Sequence, residues 1–227
     1  MITRAAGRAG REHGVTVVLT VPTAFISPLH ALNAGVLLFA QGMDPDSMGD
    51  GMNRVFAESL VDAGASGVML NHTSNPLSPS MLEATLRRAD SCGLLTIVCA
   101  DTVADVETIA FLQPSAILFE PPSLIGTASA DERDWIGPID EVVRRASPKV
   151  LTMHAGGVSS PAIAQSIMRA GADGTGSTSG VLSAHDPLIA ARDFIAATAA
   201  GWEAAQHRDQ APEPSTSDRS RSESEHR

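Results

Sequence analysis

The chain has 227 residues, 43% of them hydrophobic and 19% charged, which fits one full-sized globular domain and excludes a short disulfide scaffold, wholesale disorder and a membrane protein. Lys and Arg number 16 against 26 Asp and Glu, and the net charge of −10 disfavours nucleic acid or an anionic membrane surface as the main partner. An anionic ligand must therefore be held locally, and Lys149 is the only lysine available to any chemistry.

In chain order, a helical segment over Ile2–His13 precedes any strand. It lacks the apolar stretch of a signal peptide, and no run reaches the roughly 18 apolar residues of a membrane span, so a cytoplasmic protein is expected. Apolar runs without two-residue alternation then recur at Val15–Val21, Val36–Ala40, Gly67–Leu70, Leu94–Ala100, Ala116–Phe119 and Val150–Met153, with a glycine-rich one at Gly174–Gly180. Such runs predict parallel strands buried on both faces. Helical segments lie between them. Ser80-Met-Leu-Glu83 reads as a capping box opening a helix that Gly93 closes, Ser160-Pro161 and Asp186-Pro187 as caps with first-turn prolines, and Gly171 as the end of a helix whose last turn carries Arg169. Leu188, Ala191, Ile195 and Trp202 predict a stripe by which the last helix covers the sheet. Residues 208–227 are rich in Ser, Pro, Glu, Asp and Arg without apolar periodicity, which leaves 1–207 as the folded domain and 208–227 as a disordered tail. Seven βα units of this size suit an open doubly wound sheet or a (β/α)8 barrel short of its first strand. Cys92 and Cys99 are too few for a disulfide framework and read as inert packing in a reducing interior.

Both architectures place chemistry at the carboxyl ends of the strands. Asn71-His72, Asp101, Glu120 and His154-Ala-Gly-Gly157 lie there. Gly157 and the turn Thr178-Ser179-Gly180 each stand near a helix start, where free N–H groups can receive a phosphate. Glu120 beside His72 suits proton abstraction next to a carbonyl whose oxygen the histidine polarises, with no metal or cofactor needed. A carboxylate after Ala-Ile-Leu-Phe119 is costly to bury without a task, whereas His72 alone also suits a polar residue at a strand–loop junction. His30, His185 and His207 fall near helix ends and read as solvated. A metal-dependent alternative would draw on His72, His154, Glu120 and Asp101, which lack close ligand spacing on any one element.

Phe39-Ala-Gln41, Asp62-Ala-Gly-Ala65, Leu70-Asn-His72, Gly93-Leu-Leu-Thr-Ile-Val-Cys99 and above all Phe119-Glu-Pro-Pro-Ser-Leu-Ile-Gly-Thr127 resemble, in order and spacing, the short archaeal-type branch of the triosephosphate isomerase family. The resemblance implies an α/β fold of the TIM (β/α)8 barrel type whose first β-strand is missing from this chain. It implies Glu120 as the base and His72 as the neutral electrophile, the roles known for this family. Ile125 and Gly126 match lid positions whose backbone meets the substrate phosphate, and Gly157, Thr178, Ser179 and Gly180 match the rest of that cradle. The implied partners are a small phosphorylated sugar and further copies of the chain, as a dimer or tetramer.

The chain departs from the family at several positions. The family's Asn-x-Lys strand is not among these residues, and Lys149 opens a strand at the end opposite the mouth. Thr73-Ser74-Asn75 stands where the family has Ser-Glu-Arg, Ser123 where it has a glutamate, and Ala128 where it has a glycine. Two unpaired strand edges are costly, so a start codon placed too late is the expected explanation, with feeble or no activity from Met1 onward.

Overall fold

The computed structural model describes residues 1–49, 51–121 and 133–209. Helix α1 (Ile2–His13) comes first and is closed by Gly14, whose φ of 66° lets its N–H reach back to the Gly10 carbonyl. Seven strands follow: β1 (Val18–Val21), β2 (Leu37–Ala40), β3 (Gly67–Leu70), β4 (Leu95–Ala100), β5 (Ala116–Phe119), β6 (Leu151–His154) and β7 (Gly174–Thr175). The helices α2 (Ile26–His30), α3 (Ala57–Asp62), α4 (Pro79–Ser91), α5 (Val103–Ala110), α6 (Ile136–Ala146) and α7 (Pro161–Arg169) lie between successive strands, and α8 (Ser179–Leu182) and α9 (Pro187–Asp209) follow β7. No helix among the described residues is long and apolar enough to cross a membrane.

Every strand pairs in parallel with its neighbour in sequence, in the order β1 to β7. Sequential parallel pairing with a helix after every strand is barrel topology, and it excludes the reversed strand order of a doubly wound sheet. Among the described residues β1 pairs only with β2 and β7 only with β6, so the sheet has one strand fewer than a closed barrel, between β7 and β1.

Alternation along the strands sorts the apolar residues into two cores. Leu38, Ala40, Val68, Leu70, Val98, Ala100, Ile117 and Phe119 meet Leu60, Leu82, Leu86, Val106, Ile109, Ile139 and Val143 of the helices. Phe39, Ile97, Cys99, Ala116, Leu118 and Ala155 instead pack on one another inside the curl of the sheet, with Met69 and Met153 against them. The strand period of two then assigns the next inner positions beyond β4 and β5 to Asp101 and Glu120. His154 has the outer parity, and the structure turns it toward α6.

The structure corrects several local expectations. α4 opens at Pro79 with Ser78 as its cap, the Ser78 hydroxyl accepting the Met81 N–H at 3.3 Å, and not at a Ser80–Glu83 box. Proline's fixed φ suits the first helical position, which moves the cap one residue ahead of it. Strand β1 is shorter than predicted because the Val15 N–H is bound to the Gly10 carbonyl in the close of α1. β7 ends at Thr175 because the chain turns into α8. The stripe of α9 is Ala191, Phe194, Ala199 and Ala205, while Trp202 is 41% exposed. This helix lies along α7 and α1, not on the sheet. It also runs past Arg208 to Asp209, and residues 210–227 of the expected tail lie outside the described residues.

Candidate active site

Asn71, just past β3, holds a left-handed φ of 57° that asparagine tolerates better than other residues with a Cβ. Its side-chain amide donates to the Cys99 carbonyl at 3.0 Å, and its side-chain carbonyl accepts the Leu77 N–H at 3.0 Å. This clamp ties the end of β3 to β4 and sets the half-buried His72 on a fixed turn. The Ser74 N–H donates to His72 Nδ1 at 3.1 Å, and the Ser74 hydroxyl stands 2.8 Å from the same nitrogen. A backbone N–H can only donate, so Nδ1 is unprotonated, and the ring proton of the neutral imidazole is on Nε2.

Glu120 leaves β5 with its N–H bonded to the Ala100 carbonyl at 3.0 Å. Burial raises its carboxyl above the usual glutamate range, His72 opposes that rise whenever its ring is protonated, Asp101 adds to it, and a hydrogen bond from the Gly156 N–H lowers it again. Asp101 accepts from the Thr73 hydroxyl, with oxygens at 3.2 and 3.4 Å. The ends of β3, β4, β5 and β6 thus bring His72, Asp101, Glu120 and the Gly156 N–H together. Beneath them burial first, then the charges of Glu120 and Asp101, push the Cys99 thiol up to about 12, which leaves it an unreactive packing group.

The glycine turns expected to hold phosphate are joined to each other. Gly156 and Gly157 take φ of 82° and 63°, conformations open chiefly to glycine. The Ser177 hydroxyl donates to the Val158 carbonyl at 2.6 Å, tying the turn after β6 to the one after β7. A Cβ on Gly180 would lie 2.8 Å from that same carbonyl oxygen, so only glycine fits there. Thr178 precedes α8, and Ser179 and Gly180 form its first turn, where backbone N–H groups have no intrahelical acceptor. Ile125 and Gly126 lie outside the described residues.

His154 does not join the mouth. It is fully buried and bonds through Nε2 to Asp140 of α6 at 2.7 Å, with Trp135 and Phe119 packed around its ring. The metal-ligand set His72, His154, Glu120 and Asp101 is therefore not assembled. His30, His185 and His207 are exposed.

Sequence reasoning missed Arg133, which donates from its two terminal nitrogens to the carbonyls of Ala155 and Gly156 at 3.2 and 2.6 Å. It also missed the Gly156 N–H and the Ser74 N–H, because backbone donors leave no trace in residue type.

The triosephosphate isomerase family model matches residues 1–197. A curated triosephosphate isomerase from Methanopyrus kandleri is 31% identical over 198 residues, covering 86% of this chain and 88% of its own. That of Sulfolobus acidocaldarius is 29% identical over 197 residues, covering 86% of this chain and 85% of its own. The crystal structure of triosephosphate isomerase from Bartonella henselae superposes with a TM-score of 0.59 at 18% identity, covering 76% of this chain and 82% of that one, a likeness of fold. With the family match spanning nearly all of the folded region and the barrel order of the strands beside it, the chain belongs to the triosephosphate isomerase family.

Proposed function

We propose that the chain is an intramolecular aldose–ketose isomerase that interconverts dihydroxyacetone phosphate and D-glyceraldehyde 3-phosphate. The observation that carries this reading is the pairing of a half-buried Glu120, its carboxyl raised by burial, with a His72 whose Nδ1 accepts the Ser74 N–H. In the proposed reaction Glu120 takes a proton from the carbon beside the carbonyl, and His72 Nε2–H stabilises the negative charge that builds on the oxygen. The enediolate then takes the proton back from Glu120 on the neighbouring carbon, while its hydroxyl proton passes by way of His72 Nε2 to the former carbonyl oxygen, so that carbonyl and hydroxyl exchange places. A carboxyl raised above the ordinary glutamate range is a better match for carbon acids, because its proton affinity is greater where it is still ionised. The phosphate would bind the backbone of Gly157, Thr178, Ser179 and Gly180, with Ile125 and Gly126 completing the cradle as the family motif implies. We place residues 1–209, to the end of α9, in the catalytic domain and 210–227 in a tail, and expect a cytoplasmic homo-oligomer.

A second reading, a noncatalytic phosphate-ligand protein on the same barrel, is favoured by the place of Lys149. That exposed residue precedes β6, so it stands at the amino end of the strands, opposite His72. A four-carbon ketose phosphate is the alternative substrate, since Ser74, Asn75 and Ser123 differ from the family pattern. The test is isomerisation of triose and tetrose phosphates coupled to a dehydrogenase, with Glu120→Gln as the control. Turnover lost in E120Q supports the isomerase. No turnover even from a chain extended upstream by an Asn-x-Lys strand, with inorganic phosphate still bound, supports the second reading.

A further inference from the structure

The turn after β6 carries two burdens that its own residues cannot meet. Its Gly156 N–H serves the Glu120 carboxylate, while consecutive left-handed residues at Gly156 and Gly157 turn the carbonyls of Ala155 and Gly156 out of the strand ladder. Ala155 and Gly156 are buried, so water is a poor partner for those oxygens, and an unpaired one would pull the turn out of shape. Arg133 takes both, one from each terminal nitrogen, in the forked geometry that a guanidinium supplies and an ammonium does not. Its own place is fixed by Trp135, over whose ring the guanidinium carbon lies at 5.8 Å, and Trp135 in turn packs edge-on against Phe119, the residue before Glu120.

We propose that Arg133 is a positioning residue that clamps the Ala155–Gly157 turn and so keeps the Gly156 N–H aimed at the Glu120 carboxylate. The inference rests on the reading of Glu120 as the base and adds a residue to its machinery. Among the described residues, the groups that face Glu120 are His72 from the end of β3, Cys99 of β4, Asp101 just past it and the Gly156 N–H from the end of β6. Arg133 acts on it only through the last.

The test is a carboxyl 13C NMR titration of the full chain carrying labelled glutamate, with the Glu120 resonance identified by its loss in E120Q. Loss of the Gly156 N–H removes an interaction with the charged form alone, so in Arg133→Met the Glu120 midpoint should rise by about half a pH unit or more, roughly threefold in its acid constant. Arg133→Lys, which reaches one carbonyl, should rise by less. An unchanged midpoint in folded R133M overturns the proposal, whatever happens to the melting temperature. If R133M does not fold, an unchanged midpoint in R133K overturns it. The titration needs no turnover, which separates the two readings. An inactive parent whose Glu120 midpoint still moves in R133M defeats the isomerase and leaves the clamp standing, and an active parent without the shift does the reverse.

Discussion

Asn71→Ala is the most informative single change, because it strikes the support of His72 without touching a reacting group. The substitution removes the hydrogen bonds to the Cys99 carbonyl and from the Leu77 N–H, each 3.0 Å long. Each is worth about 1 kcal/mol net. It also puts alanine at a φ of 57°, which costs roughly another 1 kcal/mol relative to asparagine. The expected loss is about 3 kcal/mol, or a fall in Tm of roughly 6–12 °C for a domain of this size. His72 is the next residue, and a displacement of about 1 Å in a positioned group costs on the order of 10²-fold in rate. Thermal melts, with kcat/KM measured at 25 °C on protein that is still folded, read the two effects separately. A Tm within about 2 °C of the parent would refute the hydrogen-bond argument, since even one lost bond predicts a larger fall. A normal kcat/KM with the expected Tm would show that Asn71 holds the barrel wall but not His72.

Other substitutions probe different parts of the structure. Glu120→Gln should cost about 10²–10⁴ in kcat/KM yet melt higher than the parent at pH 7. The folded carboxyl keeps its proton to higher pH than the unfolded one, so its stability contribution is complete below the unfolded value and disappears as pH rises through the folded value. The gain should vanish below about pH 4, and a lower melting point for E120Q at neutral pH would contradict the raised carboxyl. For the same reason the acid limb of kcat/KM should lie above that of an ordinary glutamate. Asp140→Ala strands His154 Nε2 beside an Nδ1 that already lacks a hydrogen bond. It should cost about 2–3 kcal/mol by denaturant titration, while the double change Asp140→Leu with His154→Phe should recover most of that. Gly201→Ala places a Cβ 2.4 Å from the Gln165 carbonyl oxygen and should lower Tm despite alanine's better helix propensity. A rise would mean that α9 slides on α7 at little cost.

The parallel strands were legible because their apolar runs are long and free of polar interruption, and the strand ends followed because Asp101 and Glu120 each break such a run. Which side of a strand a residue faces was less accessible. His154 and Glu120 both close a strand, and only the register between β5 and β6, with Phe119 opposite His154, shows that one points to α6 and the other into the mouth. Caps misled where two candidates lay close together. Ser78 and Ser80 both precede Glu83 within a turn or so, and the proline between them decided for Ser78. The capping box at Thr102 and Asp105, by contrast, has no competing candidate beside it. The stripe of α9 failed for a different reason. Gly201 lies against the Gln165 carbonyl, so the buried face is set by α7 and not by a sheet, and it is made largely of small residues that carry little hydrophobic signal.

What the sequence could least convey is that the behaviour of Glu120 is set by burial and by opposing influences from the ends of three other strands. Burial and Asp101 raise its carboxyl, while the Gly156 N–H, and His72 when its ring is charged, lower it. Only His72 was visible as a partner from residue type and the resemblance together. A carboxyl so balanced responds to small shifts in any of the surrounding turns, so changes at Asn71 on one side and Arg133 on the other are expected to reach it without contact. Neither touches Glu120. Asn71 fixes the turn that carries His72 and bonds to β4, whose end carries Asp101, and Arg133 fixes the turn that presents Gly156. Changes at these two residues should therefore move the titration of Glu120 through different neighbours. Because the two clamps share no hydrogen-bonding partner, their effects on the Glu120 midpoint should add in the double variant.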